Sequence, residues 1–121
     1  MNPQRRRRPA KETGRNAEDN ARVYLEAQGL RTLASNFRTA QGEIDLVMTD
    51  GATTVFVEVR HRSHPGFGGA AASVDRRKRF RLQRAAAVWL GRHPTRARFD
   101  VIATDGDTIH WIRDAFRAET G

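Results

Sequence analysis

The chain contains no cysteine, which excludes disulfides, thiolate zinc centres and thiol nucleophiles together. No run approaches the about eighteen apolar residues that a membrane-crossing helix needs. The arginines at Arg5 to Arg8 have no apolar segment behind them that would make a signal peptide. These absences predict a soluble, cytoplasmic protein with no membrane partner. Lysine is nearly absent too: of 22 basic residues only Lys11 and Lys78 are lysine. Acids are the minority sign, 14 in all, so the net charge is +8 and the pI is near 11.4. Such a balance favours an anionic partner, nucleic acid ahead of a membrane surface or an acidic protein. A length of 121 residues with 38% hydrophobic content predicts one domain with a modest core and no room for a second catalytic domain.

Against that scarcity of acids, the stretch Gly42 to Arg60 stands out. Two strand-like runs, Glu43 to Thr49 and Thr54 to Arg60, flank Asp50-Gly51, a pair suited to a primed turn because both residues tolerate positive φ. A two-residue loop sets Thr49 opposite Ala52 and a four-residue loop sets it opposite Thr54. In either register odd positions on the first strand face even positions on the second. Side chains alternate across a strand, so Glu43, Asp45 and Val47 share a face with Phe56, Glu58 and Arg60, while Ile44, Leu46 and Met48 join Val55, Val57 and Val59 on the other. The second face is wholly aliphatic and suits a helix. The first brings Asp45 and Glu58 within about 8 Å between backbones, close enough for a divalent cation to bridge them and for repulsion to raise the pKa of one when it is absent. Alternation with acids on a solvated face is also ordinary for an antiparallel strand, but Val47 and Phe56 beside the acids argue that this face is partly covered. A carboxylate there requires a cation.

Residues 1–13 carry five cations, one acid and Pro3 and Pro9, the composition of a disordered basic arm; residues 14–121 form the single domain. From Gly14 to Gln28, Ala17, Ala21, Tyr24, Leu25 and Gln28 recur at helical spacing, with Gly29 as the stop. Glu18 precedes Arg22 by four, the spacing of a helix-surface ion pair, yet it lies one turn from Ala21 and so at the edge of the buried stripe. Leu30 to Arg38 reads as a strand anchored by Leu33 and Phe37. His61 to Ala72 has no periodicity and reads as a loop long enough to lie over a substrate. His61, His64, His93 and His110 show no ligand spacing. Asp75 opens what reads as the longest helix, ending near Gly91, with Phe80, Leu82, Ala86, Val88, Trp89 and Leu90 as its buried side. Its first turns hold Arg76, Arg77, Lys78, Arg79, Arg81 and Arg84 against the single acid Asp75, a stripe suited to phosphates. Arg98 to Thr104 and Thr108 to Arg113 form a second hairpin about Asp105-Gly106. The last eight residues read as a short helical or frayed end.

Taken together, Gly14 through Glu18, Gly42-Glu43-Ile44-Asp45-Leu46-Val47, Phe56-Val57-Glu58-Val59-Arg60, the helix around Lys78 and Arg98-Phe99-Asp100-Val101 resemble the YraN family of bacterial endonuclease-like proteins over roughly residues 14–116. That family is similar to the Holliday-junction-resolvase branch of the restriction-endonuclease-like nucleases. The resemblance implies an α/β, three-layer fold, a mixed central sheet of about five strands flanked by helices. It also implies a magnesium-dependent (or manganese-dependent) endonuclease hydrolysing phosphodiesters, with DNA, including branched DNA, favoured over RNA. Carried over, Asp45 and Glu58 are metal ligands, the Val59 carbonyl a third, and Glu18 an outer ligand. Arg60 stands where those nucleases usually carry lysine.

The chemistry explains the residue types. A hard cation held by oxygen ligands activates water and neutralises charge on the phosphate. The lysine of such sites orients or deprotonates that water; arginine keeps its proton at neutral pH and can only bind phosphate. Lys78, the one lysine outside the basic arm, is either a chance surface cation of the basic helix or the candidate to supply the missing ammonium. The catalytic set that the resemblance implies is Asp45, Glu58 and Arg60, joined by Lys78 in the second of these readings, with Arg76, Arg77, Arg81 and Arg84 expected on the nucleic acid. A non-catalytic nucleic-acid-binding module keeping the nuclease fold is the alternative. A basic structural protein would explain the charge but not the gathered acids.

Overall fold

Parity governs the middle of the molecule. In the computed structural model, which describes residues 10–61, 74–105 and 107–117, β2 (Gly42–Asp50) and β3 (Thr53–His61) pair antiparallel. Thr49 lies opposite Thr54 and Asp50 opposite Thr53, the second of the two registers, and Gly51 takes the turn's positive φ of 61°. Leu46 and Met48 pack with Val55 and Val57 on one face, and Val47 packs with Phe56 on the other. Each face receives a helix. The helix α1 (Ala10–Ala27) seats Ala21 and Leu25 on the aliphatic side, while α2 (Arg76–Arg92) seats Leu82, Ala85 and Ala86 on the side of Phe56. Fully burying each of the larger aliphatics stabilises by roughly 1.5–3 kcal/mol. With β1 (Arg31–Thr39), β4 (Arg96–Thr104) and β5 (Ile109–Phe116), the strand order is β1-β2-β3-β4-β5. Only β3 and β4 are parallel, because α2 crosses over between them. The result is the α/β, three-layer, nuclease-like architecture with a mixed five-stranded sheet.

Several local expectations give way to irregular backbone. Residues 10–13, placed by composition in the basic arm, lie in the first turns of α1, which at 18 residues is one longer than α2. Residues 1–9 and 62–73 lie outside the described residues, so the expectation of a loop over His61 to Ala72 falls there except for His61, which ends β3 as strand. Leu33 is not an anchor: the register of β1 against β2 shifts between Thr32 and Ala34, so Leu33 is the inserted residue and is exposed. Ile44 packs with Val47 and Phe56 rather than with Leu46, since the β2–β3 ladder reaches only as far as Leu46 opposite Val57. Phe80 points away from the sheet. Residues 114–116 are strand rather than a frayed end. There Asp114 adopts a φ of 51° and the register against β4 shifts between Phe99 and Val101.

Asp100 holds that second irregularity together. Its buried carboxylate accepts hydrogen bonds from Arg98 Nε at 3.0 Å, Trp111 Nε1 at 3.0 Å and the Asp114 backbone N–H at 2.9 Å. Arg98 NH1 in turn donates to Asp50 at 3.1 Å. This acid is structural, since every side of it is occupied.

One glycine fixes where α2 sits. A Cβ on Gly42 would strike the backbone carbonyl of Arg81, so only glycine lets the helix lie this close to the start of β2. Gly42→Ala is expected to lower stability by about 1–3 kcal/mol, read as a drop in the urea midpoint at unchanged slope. An unchanged midpoint would mean that α2 is free to move off the sheet.

Candidate functional site

The two central acids meet where the β2–β3 ladder ends. Asp45 and Glu58 are the first residues past the Leu46–Val57 pair, and Asp45 Oδ2 accepts the Val59 backbone N–H at 2.9 Å. The carboxylate thus takes a donor that would otherwise belong to the ladder, which allows the strands to part without leaving a buried N–H unpaired. Glu58 is buried at 3% exposure, against the general rule that a glutamate reaches water. Its Oε2 faces two cations, Arg60 NH1 at 3.5 Å and Lys78 Nζ at 3.6 Å. Its Oε1 has no hydrogen-bond partner among the described residues.

The electrostatics follow from that placement. Burial first, and then the Asp45 carboxylate, push the Glu58 pKa up to about 8, while Lys78 and, more weakly, Arg60 pull it down. The Asp45 carboxyl therefore lies beside that of Glu58. Glu18, half-buried on α1, is also raised, first by burial and then by Asp45, and the Asn36 side chain hydrogen-bonds it and partly offsets the rise. Arg22, the expected ion-pair partner of Glu18, bonds Glu26 instead at 3.1 Å. Glu18 is thereby left to face the acids.

The structure therefore brings Glu18, Asp45, Glu58, Arg60, Lys78 and the Val59 backbone to one end of the sheet, between the two helices. The arginines fall elsewhere on α2. Arg76, Arg77, Arg81 and Arg84 are exposed, and none of the four pairs with an acid among the described residues. Arg84 donates to Gln41 at 3.1 Å in the β1–β2 turn. Arg79 is turned back, donating to the Val74 carbonyl at 2.8 Å and lying over the Phe116 ring. Lys78 is positioned by the cap of its own helix, where its backbone N–H reaches Asp75 Oδ1 at 2.8 Å.

The sequence reading missed Asn36. It lies within β1 with a φ of 53°, a conformation that costs about 1–2 kcal/mol for most residues and that asparagine tolerates better than most residues other than glycine. The signal was there in Ser35-Asn36, a polar interruption between Ala34 and Phe37.

A model of the Uncharacterised protein family UPF0102 matches residues 17–104, a span that includes every acid of this site. The chain belongs to that family. A UPF0102 protein of Halorhodospira halophila is 67% identical over 120 residues, covering 99% of each chain. Another from Alkalilimnicola ehrlichii is 52% identical over 124 residues with 98% of each covered. The UPF0102 protein YraN of Escherichia coli is 50% identical over 111 residues, covering 88% of this chain and 85% of the relative. Family membership thus agrees with the resemblance drawn from the central motifs, and no helix among the described residues is long and apolar enough to cross a membrane.

Among the described residues no three His, Asp or Glu side chains are already gathered as a metal cage. Two carboxylates suffice for magnesium, which retains several waters and rejects soft ligands. The unpartnered Glu58 Oε1 beside the Asp45 carboxylate is a hard oxygen donor set that fits such an ion, while Lys78 and Arg60 occupy the other oxygen, Oε2.

Proposed function

We propose that this chain is a metal-dependent nuclease acting on phosphodiesters, DNA ahead of RNA, with magnesium or manganese bound by Asp45 and Glu58. The observation that carries the reading is the buried Glu58 oxygen without a donor beside a second carboxylate. A protein keeps so unfavourable an arrangement where a ligand relieves it. The Val59 carbonyl and Glu18 complete the ligand set that the family resemblance implies. Once bound, the ion would neutralise charge on the phosphate and make water a stronger nucleophile.

The protein's own groups do the rest. Asp45, fixed by the Val59 N–H, stays oriented as an acceptor. Lys78 and Arg60 hold Glu58 Oε2, leaving Oε1 for the ligand, and both cations would attract a phosphate brought to the site. Exposed Arg76, Arg77, Arg81 and Arg84 keep the backbone of the substrate against α2. Arg60, which cannot act as a base, favours one rival reading, a binding module that keeps the nuclease fold without cutting.

Calorimetry with manganese separates the readings. Glu58 must shed its proton to bind, so the wild type is expected to bind one ion with proton release, more tightly as pH rises towards 8. Asp45→Asn is expected to weaken binding at least about tenfold, since losing even an outer-shell partner of a metal ligand costs about that much. Equal binding in the two proteins, or none in either, removes the metal from the account. A cleavage screen over branched, duplex and single-stranded substrates then identifies the reaction.

A further inference from the structure

Among the described residues the other phenylalanines are packed: Phe37 stands edge-on to Trp89, Phe56 lies tilted against Phe99, and Phe99 stacks on Phe116 beneath α2. Phe80 does the opposite, at 59% exposure on the outer face of that helix. A single exposed apolar side chain is common and means little. Its surroundings are what set this one apart. Arg76, Arg77 and Arg84 lie three or four residues away and so share its face of the helix. The Arg84 guanidinium is 5.7 Å from the ring centre and is itself tied to Gln41. An aromatic ring set in a stripe of exposed arginines is the arrangement by which proteins hold unpaired bases, the ring stacking on the base while the guanidiniums take the flanking phosphates.

We infer that Phe80 is a stacking platform for an unpaired nucleotide, so that the substrate of the proposed site carries single-stranded character next to the phosphate it presents to Glu58. This rests on the nucleic-acid reading above and narrows its substrate class. The placement is consistent. Lys78, two residues before Phe80, reaches Glu58 from the inner side of α2, and an α-helix is about 10 Å across. The base and the phosphate therefore belong to neighbouring nucleotides of one strand, passing around the start of the helix. Duplex DNA, whose bases are already stacked, offers the ring nothing.

The test measures binding by the full chain in EDTA, with a fluorescent thymidine oligonucleotide and a blunt duplex of equal length as probes, so that no metal chemistry enters. Phe80→Ala is expected to lose about five- to a hundredfold in affinity for the single strand and little for the duplex, and Phe80→Trp to restore it. Equal single-strand affinity of wild type and Phe80→Ala overturns the platform and leaves the nuclease reading standing. A wild type that binds neither probe overturns both. Sedimentation supplies a separate check: if Phe80→Ala converts a dimer to a monomer, the ring belongs to a contact between copies and the platform is wrong.

Discussion

Glu58→Gln is expected to melt higher than the wild type at pH 8 and to lose metal-dependent cleavage. The carboxyl has a folded-state pKa of about 8 against an ordinary 4.5, so the folded protein binds the proton more tightly than the unfolded chain does. Its favourable contribution is complete below 4.5 and is lost as pH rises through 8. Glutamine carries no charge at any pH, so it escapes that loss, although it also gives up the pairing with Lys78 and Arg60. On balance the gain at pH 8 should be on the order of 1–3 kcal/mol, a fraction of what the full shift would yield at 1.36 kcal/mol per unit. For a domain of this size that is a rise of roughly 5 °C or more. The gap should close as the pH approaches 4.5. Cleavage should fall by at least about a hundredfold, since a ligand that positions the cation stabilises the transition state by several kcal/mol. A more stable protein that no longer cuts is the signature of a residue kept for function at the expense of stability. If Glu58→Gln instead melts lower at pH 8, the carboxylate is part of a structural ion pair with Lys78 and Arg60.

That arrangement is partly legible in the sequence. Alternation over Glu43 to Thr49 and Thr54 to Arg60 puts Asp45 and Glu58 on one face, because antiparallel pairing about Asp50-Gly51 sets odd positions of the first strand against even positions of the second. The same logic failed wherever the backbone departs from regular pleating. Ile44 changes neighbours where the two strands part, Leu33 turns outward at a bulge, and β5 runs on to Phe116 because Asp100 captures the Asp114 N–H. None of these has a sequence period, so no period could reveal it. Long-range partners were hidden for a different reason. Glu18 has Arg22 at the spacing of an ion pair, and only the packing of α1 against the sheet shows that Arg22 pairs with Glu26 while Glu18 faces Asp45. The helix bearing Phe80 was read as burying every large apolar side chain; yet Phe80 is turned about 200° from Lys78 at 3.6 residues per turn, and Lys78 faces the sheet.

Lys78→Arg is expected to leave the fold and the affinity for nucleic acid intact while reducing cleavage at least about a hundredfold, the lower end of what a positioned proton-transfer group contributes. The ammonium is 3.6 Å from Glu58 Oε2, and Arg60 lies at 3.5 Å from the same atom. The site therefore has two cations against one carboxylate oxygen, more than neutralising Glu58 alone requires. A guanidinium at position 78 keeps the charge, and with it the ion pair and the attraction for phosphate, but it holds its proton and presents a planar fork in place of a compact donor. Arg60→Lys, by the same argument, should cut as well as the wild type or better, since it adds a second ammonium. Lys78→Met supplies a readout that charge alone governs: without the cation that pulls Glu58 down, the pH at which manganese binding is half complete should move up, whereas Lys78→Arg should leave it in place. Cleavage by Lys78→Arg at the wild-type rate would make Lys78 a charge partner of Glu58 and nothing more, and the water would then have to give up its proton to solvent or to Asp45.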